Sequence, residues 1–450
     1  GNMSPDTILL LCLVSVVVAI VLSFWKDVNL GLTAMTCAFL IGTLCMGKSV
    51  ADVYNYWPNN WVFFLIAGAV FYGFARENKT LDLMGAKMLY AFKDKVTLVP
   101  IVFMVIAMVL GYLGAGPGTI VLLAPIGYSI CKQIGMDPLL MVFAIDCGYN
   151  CGTMNPFTGT GVVLYGLVES STGEAADLAF STYFHTYILF VLCKLIQVAL
   201  IYLYFHWKKR DGSEIGKGAQ IEALQTKPEP FNDIQKKTLV LIFISFILMV
   251  VPNVINTLWP LPKESFAKSF VKLCKPHAVL IIFSFLASLL KLAPAKTVLK
   301  RIPMNTVMIV SGVAFLMELA KESGLNDVVV SVFDGSSFPK FLLAPIFLLI
   351  SAFLSVFSSG TGVVLPLMFP MVPALAEATG LNPVTLYTAA QIGALATPIS
   401  PFSTAGSQFI GLAPEEYNGY LVKGQLILAF AMAGIAAVMA LIGFCGLWPV

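Results

Sequence analysis

Apolar runs separated by short polar loops cover almost the whole chain, and no other feature restricts the possible folds as strongly. The first two runs extend from Ile8 to Phe24 and from Leu30 to Met46. Of the 450 residues, 58% are hydrophobic and 11% are charged, whereas soluble globular domains carry about 25% charged residues. So few charges cannot cover a water-exposed surface of this size. The runs predict an all-α integral membrane protein of the plasma membrane or a cell inner membrane, and they argue against binding to nucleic acid.

Several apolar runs are too short to cross a bilayer as one helix, which takes roughly 17 to 25 residues. Thr119–Cys131 is one of them, and it predicts one arm of a re-entrant hairpin over residues 96–132. Residues 138–168 contain a Gly- and Pro-rich interruption, which predicts a span broken in its middle. The second half of the chain has the same two features, a hairpin predicted at 340–377 and a broken helix predicted at 383–412.

Short motifs recur between the two halves at a constant offset. The sequence Gly135–Pro138 recurs as Gly380–Pro383, and Pro156 recurs as Pro401, each 245 residues later. This spacing indicates an internal duplication. If each half crosses the membrane five times, the odd number turns the second half upside down. The predicted fold therefore has two inverted-topology repeats, with ten transmembrane spans plus two re-entrant hairpins and two broken helices.

The predicted repeats comprise residues 3–206 and 238–450, and a polar linker at 207–237 joins them. In this topology, Lys and Arg are concentrated in the loops on the linker's side of the membrane. Cytoplasmic loops collect these residues. The linker is therefore predicted to be cytoplasmic, with both termini of the chain outside.

Four interruptions rich in Gly, Pro and hydroxyl residues, two in each half, are candidate binding loops. Irregular backbone at membrane depth is tolerated only where it is buried in protein or lines a water-filled cavity. A half-helix that begins there carries a partial positive charge of roughly 0.5 and free N–H groups, which suits an anion. Four such ends, predicted at about residues 118, 157, 362 and 402, would favour a divalent organic anion if they met. The predicted substrate-binding residues are Gly116, Pro117, Gly118, Thr119, Asn155, Pro156, Thr158, Ser359, Gly360, Thr361, Gly362, Pro401, Ser403 and Thr404.

The same loops supply neutral oxygen atoms of the kind that bind sodium at the ends of broken helices. Sodium is therefore the predicted bound ion, at two sites related by the duplication. The residues assigned to these sites are Ala115, Asn150, Gly152, Thr153, Ser358, Ala396, Thr397 and Ser400.

Two ionisable side chains, Asp146 and Lys194, lie well inside predicted spans. A charge at a helix centre costs about 2.5 to 3.5 kcal/mol on insertion scales, so each needs a partner or a function. The two either form an ion pair, or Asp146 binds a coupling proton or sodium ion and Lys194 adds to the field around the anion. Gln391 occupies the position equivalent to Asp146, so at most one of the two sites is charged.

Two other classes of membrane protein fit the sequence less well. An intramembrane hydrolase needs a Ser/His pair or two Asp residues in the membrane. One well-buried Asp is predicted, and no GxGD or GxSG motif accompanies it. The chain is therefore predicted not to be an enzyme. An ion channel remains an alternative, and currents without accumulation against a gradient would identify it.

Two halves that each contain three spans, a hairpin, a broken span and a final span resemble the divalent anion:sodium symporters of the ion transporter superfamily. Pro125 and Pro370 match the hairpin proline of that family, and Gly152–Gly161 and Ala396–Gly406 match its Gly/Thr/Pro break loops. The malonate and C4-dicarboxylate carrier branch is the most similar. The resemblance implies a homodimeric sodium:dicarboxylate symporter with an elevator mechanism, in which the hairpins and broken helices move together. The alternative is a proton-coupled carrier or exporter of an organic anion that uses Asp146.

Overall fold

The part of the chain that the structure describes is helical, and it contains no β-strand beyond a bridge between Met136 and Asp211. This confirms the predicted all-α class. The structure is a computed structural model. It describes residues 3–95, 98–115, 118–157, 159–172, 176–214, 222–302, 304–325, 327–328, 331, 339–356 and 359–447.

The helices described in the first half of the chain are followed by a short helix within residues 207–237, the predicted linker. They are α1 (Pro5–Lys26), α2 (Leu30–Leu40), α3 (Val50–Tyr54), α4 (Asn59–Glu77), α5 (Thr80–Ala91), α6 (Val99–Tyr112), α7 (Gly118–Ile134), α8 (Pro138–Thr153), α9 (Gly159–Thr172), α10 (Ala176–Trp207) and α11 (Glu222–Gln225).

The helices of the second half run in the same order, and a π-helical turn, Gly360–Val364, begins the returning arm of its hairpin. They are α12 (Asp233–Leu258), α13 (Phe266–Leu273), α14 (Pro276–Leu289), α15 (Ala295–Leu299), α16 (Met304–Glu322), α17 (Leu343–Val356), α18 (Leu365–Met368), α19 (Val372–Thr379), α20 (Pro383–Ala394), α21 (Thr404–Gly411) and α22 (Glu415–Leu441).

The turn that leads into each broken helix has the same backbone in both halves. Gly135 and Gly380 both adopt a left-handed conformation, each with a φ of 69°. Two residues later, the Asp137 carboxylate accepts a hydrogen bond from the Leu139 N–H at 2.9 Å, and the equivalent Asn382 side chain caps α20 in the same way. The recurring Gly and the capping side chain thus end one helix and start the next at equivalent positions.

Glycine allows the first arm of each hairpin to contact the broken helix of the same half. A Cβ atom on Gly148 of α8 would overlap the carbonyl oxygen of Met104 in α6. A Cβ atom on Gly393 of α20 would overlap the carbonyl oxygen of Leu348 in α17. These contacts are related by the sequence offset of 244 to 245 residues, so the halves share close helix packing as well as motifs.

The remaining spans pack around this unit in pairs that also recur. Helix α2 contacts α16, and the equivalent helix α14 contacts α4. In the first of these pairs, Gly31 and Gly312 bring the two backbones together, because a Cβ atom on either would overlap main-chain atoms of the other helix.

Among the described residues, four helices are long and apolar enough to cross a membrane, or five if the bent pair α13 and α14 counts as one span. The four are Pro5–Ser23, Leu178–Trp207, Gly360–Thr379 and Glu415–Leu441. The chain is a membrane protein with several apolar helices. Its ten spans, its repeat boundaries and the inverted orientation of its halves stay predictions.

Candidate transport site

The helix breaks lie between α8 and α9 and between α20 and α21, and a glycine shapes each of them. A Cβ atom on Gly161 would overlap the carbonyl oxygen of Asn155, and a Cβ atom on Gly406 would overlap that of Ser400. Asn155 and Ser400 are equivalent by the offset of 245. Each second half-helix therefore lies directly against the loop that precedes it, and this contact fixes the direction of its N-terminus.

Two hydroxyl groups join the second break to its hairpin. The Thr397 hydroxyl donates to the carbonyl oxygen of Ala352 at 2.6 Å, and the Ser400 hydroxyl donates to that of Val356 at 3.0 Å. Both hydroxyls are buried, and each retains oxygen lone pairs that a cation can use.

The first break makes the equivalent contact without a hydroxyl. Gly152 stands where the second half has Thr397, and a Cβ atom there would overlap the carbonyl oxygen of Met108 in α6. At the second hairpin, a Cβ atom on Gly360 would overlap the carbonyl oxygen of Ala394. The hairpin and the break of each half therefore meet backbone to backbone.

The last long helix of each half supports the break loop of its own half with a side chain. The Tyr183 hydroxyl of α10 donates to the carbonyl oxygen of Met154 at 2.7 Å. The Gln425 amide of α22 donates to the equivalent carbonyl, Ile399, also at 2.7 Å. Sequence reasoning missed both residues. Gln425 could have been recognised in the sequence, because an amide side chain within an apolar run needs a polar partner. Tyr183 could not, because a tyrosine in such a run also fits a lipid-facing or core position.

The two halves cross over one another at the site. Helix α9 packs against the Gly360–Thr379 arm of the second hairpin, with Leu164 and Phe369 in one apolar cluster. Helix α21 packs against α7 of the first hairpin, where the Tyr128 hydroxyl donates to the carbonyl oxygen of Phe409 at 2.8 Å. All four interrupted segments therefore belong to one packed unit.

The N-termini of the interrupted helices lie close to where the sequence predicts them. Helix α7 begins at Gly118, and the other three begin within two residues of the predicted positions 157, 362 and 402. The Ser359 hydroxyl accepts from the Gly362 N–H at 2.9 Å, and the Ser403 hydroxyl accepts from the Gly406 N–H at 3.2 Å. Each cap satisfies one of the N–H groups that have no partner inside the helix.

The structure describes most of the predicted site residues, and most are buried. Gly116, Pro117, Thr158 and Ser358 lie outside the described residues, as does the side chain of Thr404. The half-buried residues are Ser359, Thr361 and Pro401, and the buried residues are Ala115, Thr119, Asn150, Gly152, Thr153, Asn155, Pro156, Gly360, Gly362, Ala396, Thr397, Ser400 and Ser403.

Two buried hydroxyl groups near the hairpin tips have no hydrogen-bond partner among the described residues. Thr119 is a predicted binding residue in the first turn of α7. Ser355, which sequence reasoning missed, is near the end of α17, and its oxygen would lie 3.2 Å from a Cβ atom on Gly360. A buried hydroxyl without a partner is costly, so both are available to a ligand or to water.

Asp146 and Lys194 are both buried, but they do not form a salt bridge with each other. The Asp146 carboxylate accepts from the Asn150 amide at 3.1 Å, and its second oxygen has no hydrogen-bond partner among the described residues. The Lys194 ammonium donates to the carbonyl oxygen of Leu395 at 2.5 Å. The two charges still interact electrostatically across the space between α8 and α10.

A polar cluster outside the apolar spans holds the start of α8. The Asp137 carboxylate accepts from the Tyr420 hydroxyl at 2.6 Å and from the Arg210 guanidinium at 3.2 Å. The Asp137 backbone N–H donates to the Arg210 carbonyl at 2.8 Å. The first residues of the predicted linker are therefore bound to the entry of the broken helix.

Asp211, next to Arg210, lies in the same loop after α10. Burial raises the pKa of its carboxyl group, but hydrogen bonds from His206 and Ser213 outweigh this effect, so the pKa lies below its usual value. His206 Nδ1 is 2.6 Å from the carboxylate, and the Ser213 hydroxyl is 2.7 Å from it.

These features define a helical membrane protein in which the four interrupted segments pack together as one unit. The fold is similar to that of the YdaH transporter of Alcanivorax borkumensis, with a TM-score of 0.57, 97% of each chain covered and 14% sequence identity. Residues 3–153 match the family described as dicarboxylate carrier protein MatC N-terminus.

The match over residues 3–153 supports the dicarboxylate carrier family that the sequence resembles. The protein is therefore a transporter and not an enzyme. A comparison with curated proteins gave no significant match.

Proposed function

We propose that the protein is a secondary active transporter that carries a dicarboxylate and is driven by sodium. The observation that carries this proposal is the crossed packing of α9 on the Gly360–Thr379 arm and of α21 on α7. Because each contact joins a half-helix of one repeat to the hairpin of the other, substrate bound there touches both halves.

The electrostatics of this unit suit a doubly negative solute. Each interrupted helix brings roughly half a positive charge at its N-terminus, so four of them together offer about two. The side chains that cap two of these N-termini add no negative charge, since they are the neutral hydroxyls of Ser359 and Ser403. The family name, a dicarboxylate carrier, agrees with this preference.

The first break offers the better sodium site. Its candidate ligands, Asn150 and Thr153, lie within two turns of the carboxylate of Asp146. The Thr153 hydroxyl donates to the carbonyl oxygen of Tyr149 at 3.0 Å, and its lone pairs remain for a cation. Sodium bound there would hold the break loop in the shape that binds the anion.

The motion that we propose is an elevator movement of the hairpins, broken helices, α10 and α22 as one body. Helices α4 and α16 would form the fixed surface, because they contact the two hairpin tips. A Cβ atom on Gly114 would lie 2.6 Å from the ring of Tyr72 in α4, and one on Gly362 would lie 3.8 Å from Ile309 in α16. A homodimer, inverted repeats and both termini outside belong to the same proposal.

Uptake by purified protein in liposomes tests this function. Radiolabelled malonate and succinate should accumulate when an inward sodium gradient is imposed, and not when potassium replaces sodium. In Thr153→Val, the sodium concentration for half-maximal uptake should rise about tenfold. This corresponds to a loss of about 1.4 kcal/mol in the free energy of sodium binding. Thr36→Val is the matched control, because Thr36 also donates to the carbonyl four residues earlier but is exposed on α2. Uptake that is indifferent to sodium would refute sodium coupling.

A proton-coupled carrier or exporter is the second candidate, and the unpartnered oxygen of Asp146 favours it. Here Asp146 would take up and release the coupling proton. Asp146→Asn should then abolish uptake driven by a pH gradient. Retained sodium-driven uptake in this variant would exclude the proton-carrier role.

A further inference from the structure

Resting on the proposed function, we propose that the ammonium group of Lys194 is a built-in cation that replaces the second of the two predicted sodium ions. The second break would then bind no sodium, and the transporter would use a single sodium site at the first break. The inference therefore specifies how many sodium ions the proposed function uses.

The position of the ammonium group is the first argument. Lys194 is 2% exposed, and its Nζ donates to the carbonyl oxygen of Leu395 at 2.5 Å. Leu395 caps the C-terminus of α20 and precedes Ala396, Thr397 and Ser400, the residues predicted to hold the second sodium. The lysine therefore reaches from α10 to the end of a broken helix in the other half of the chain.

The chemistry of that helix end is the second argument. The C-terminus of a half-helix carries roughly half a negative charge and presents carbonyl oxygens, which is what a sodium ion at a helix break uses. An ammonium group supplies the same single positive charge and donates to the same oxygens. The Phe190 ring, whose centroid is 5.8 Å from Nζ, adds a cation–π contact.

The asymmetry of the two halves is the third argument. Asn150 is equivalent to Leu395, but its carbonyl oxygen accepts a hydrogen bond from the Met154 N–H at 3.1 Å rather than from a lysine. The first break also has the carboxylate of Asp146, whereas the second has the neutral Gln391 at that position. The first break thus attracts a mobile cation, and the second already contains a tethered one.

This arrangement changes the charge that each transport cycle carries. A tethered ammonium moves with the protein and returns with it, so it contributes no net charge to a complete cycle. A sodium ion at the same place would be released and would add one positive charge. Wild-type protein should therefore show a sodium Hill coefficient near one.

The test compares Lys194→Met with wild type, Lys194→Arg and Lys423→Met, which removes an exposed lysine of α22. The readouts are the melting temperature in detergent as sodium chloride replaces choline chloride, and the sodium dependence of dicarboxylate uptake in liposomes. Sodium should stabilise Lys194→Met more than it stabilises wild type, because a second site becomes available, and the Hill coefficient should rise from about one to about two. Lys194→Arg and Lys423→Met should behave like wild type.

The outcomes separate this inference from the proposed function. Sodium-driven uptake in wild type with no added sodium response in Lys194→Met would overturn the inference alone. A sodium Hill coefficient near two in wild type would also overturn the inference. This measurement tests the inference even if Lys194→Met does not fold. If wild type shows no sodium-driven uptake, the proposed function fails, and sodium-dependent melting of Lys194→Met still tests the cation site.

Discussion

The glycine contacts between the hairpins and the broken helices give the sharpest test of the packing. A Cβ atom on Gly148 would lie 2.8 Å from the carbonyl carbon of Met104, and one on Gly393 would lie 2.9 Å from that of Leu348. Carbon atoms in contact prefer about 3.5 to 4.0 Å, so each helix pair must separate by at least ~0.6 Å. Such overpacking costs about 1 to 3 kcal/mol, whereas alanine gains about 0.5 to 1 kcal/mol over glycine in a helix. Compared with a Gly→Ala substitution at an unpacked helix position, each should lower the free energy of unfolding by about 1 to 3 kcal/mol.

Reversible unfolding in mixed micelles with increasing dodecyl sulfate, followed by circular dichroism, measures this loss. The control is Gly434→Ala in α22, because a Cβ atom there meets no other atom within 4 Å. The control should be as stable as wild type or slightly more stable. Since Gly148 and Gly393 make equivalent contacts, their substitutions should have effects of similar size. Stabilities equal to that of the Gly434 variant would refute the close backbone contact.

Three further predictions concern side chains around the site and at its polar end. Tyr183→Phe removes the hydroxyl that donates to the Met154 carbonyl, and it should lower the free energy of unfolding by about 1 to 3 kcal/mol in the same assay. Uptake should also slow, because the break loop loses this hydrogen bond. The pKa of Asp211 is lower in the folded protein than in the unfolded chain, where it is about 4. Its carboxylate therefore stabilises the fold above about pH 4, and this contribution is lost as the pH falls through the folded pKa. Asp211→Asn should therefore be less stable than wild type at pH 7 and should lose less stability between pH 5 and acid, whereas Asp233→Asn on the exposed start of α12 should match wild type. Glu322→Gln breaks partly exposed contacts to Lys48 and Tyr56, so its melting temperature should change little, by the equivalent of no more than about 1 kcal/mol.

The sequence predicts where the helices are interrupted because glycine and proline determine these points locally. Helix α7 starts at its predicted residue, and Gly135 and Gly380 turn the chain where the recurring motif indicates. Local conformation also explains why the equivalence of the halves is visible in sequence. A glycine in a left-handed turn and a capping Asp or Asn can be replaced by few other residue types.

The partners of buried polar groups were not predictable in the same way. Lys194 binds a main-chain carbonyl that is 201 residues away in sequence, and any residue at position 395 supplies that carbonyl. Tyr183 likewise binds the main-chain carbonyl of Met154, which any residue type at position 154 would supply. The sequence suggests an ion pair between Asp146 and Lys194 because it identifies charged side chains but not the main-chain groups that lie near them. The crossing of α9 and α21 onto the opposite hairpins is a tertiary arrangement that no local pattern encodes.

The two halves share contact geometry, but they differ in the polar groups that occupy it. Gly152 and Thr397 contact equivalent carbonyls, one through bare backbone and the other through a hydroxyl. The difference extends to charge, since Asp146 belongs to the first half alone. Packing restricts the glycine positions in both halves because the helices must approach equally closely. It does not restrict the side chains that line the breaks to the same degree. Equivalent breaks can therefore differ in their tasks, as we propose for the mobile cation at the first break and the ammonium group of Lys194 at the second, while the hairpins and half-helices around them keep one geometry.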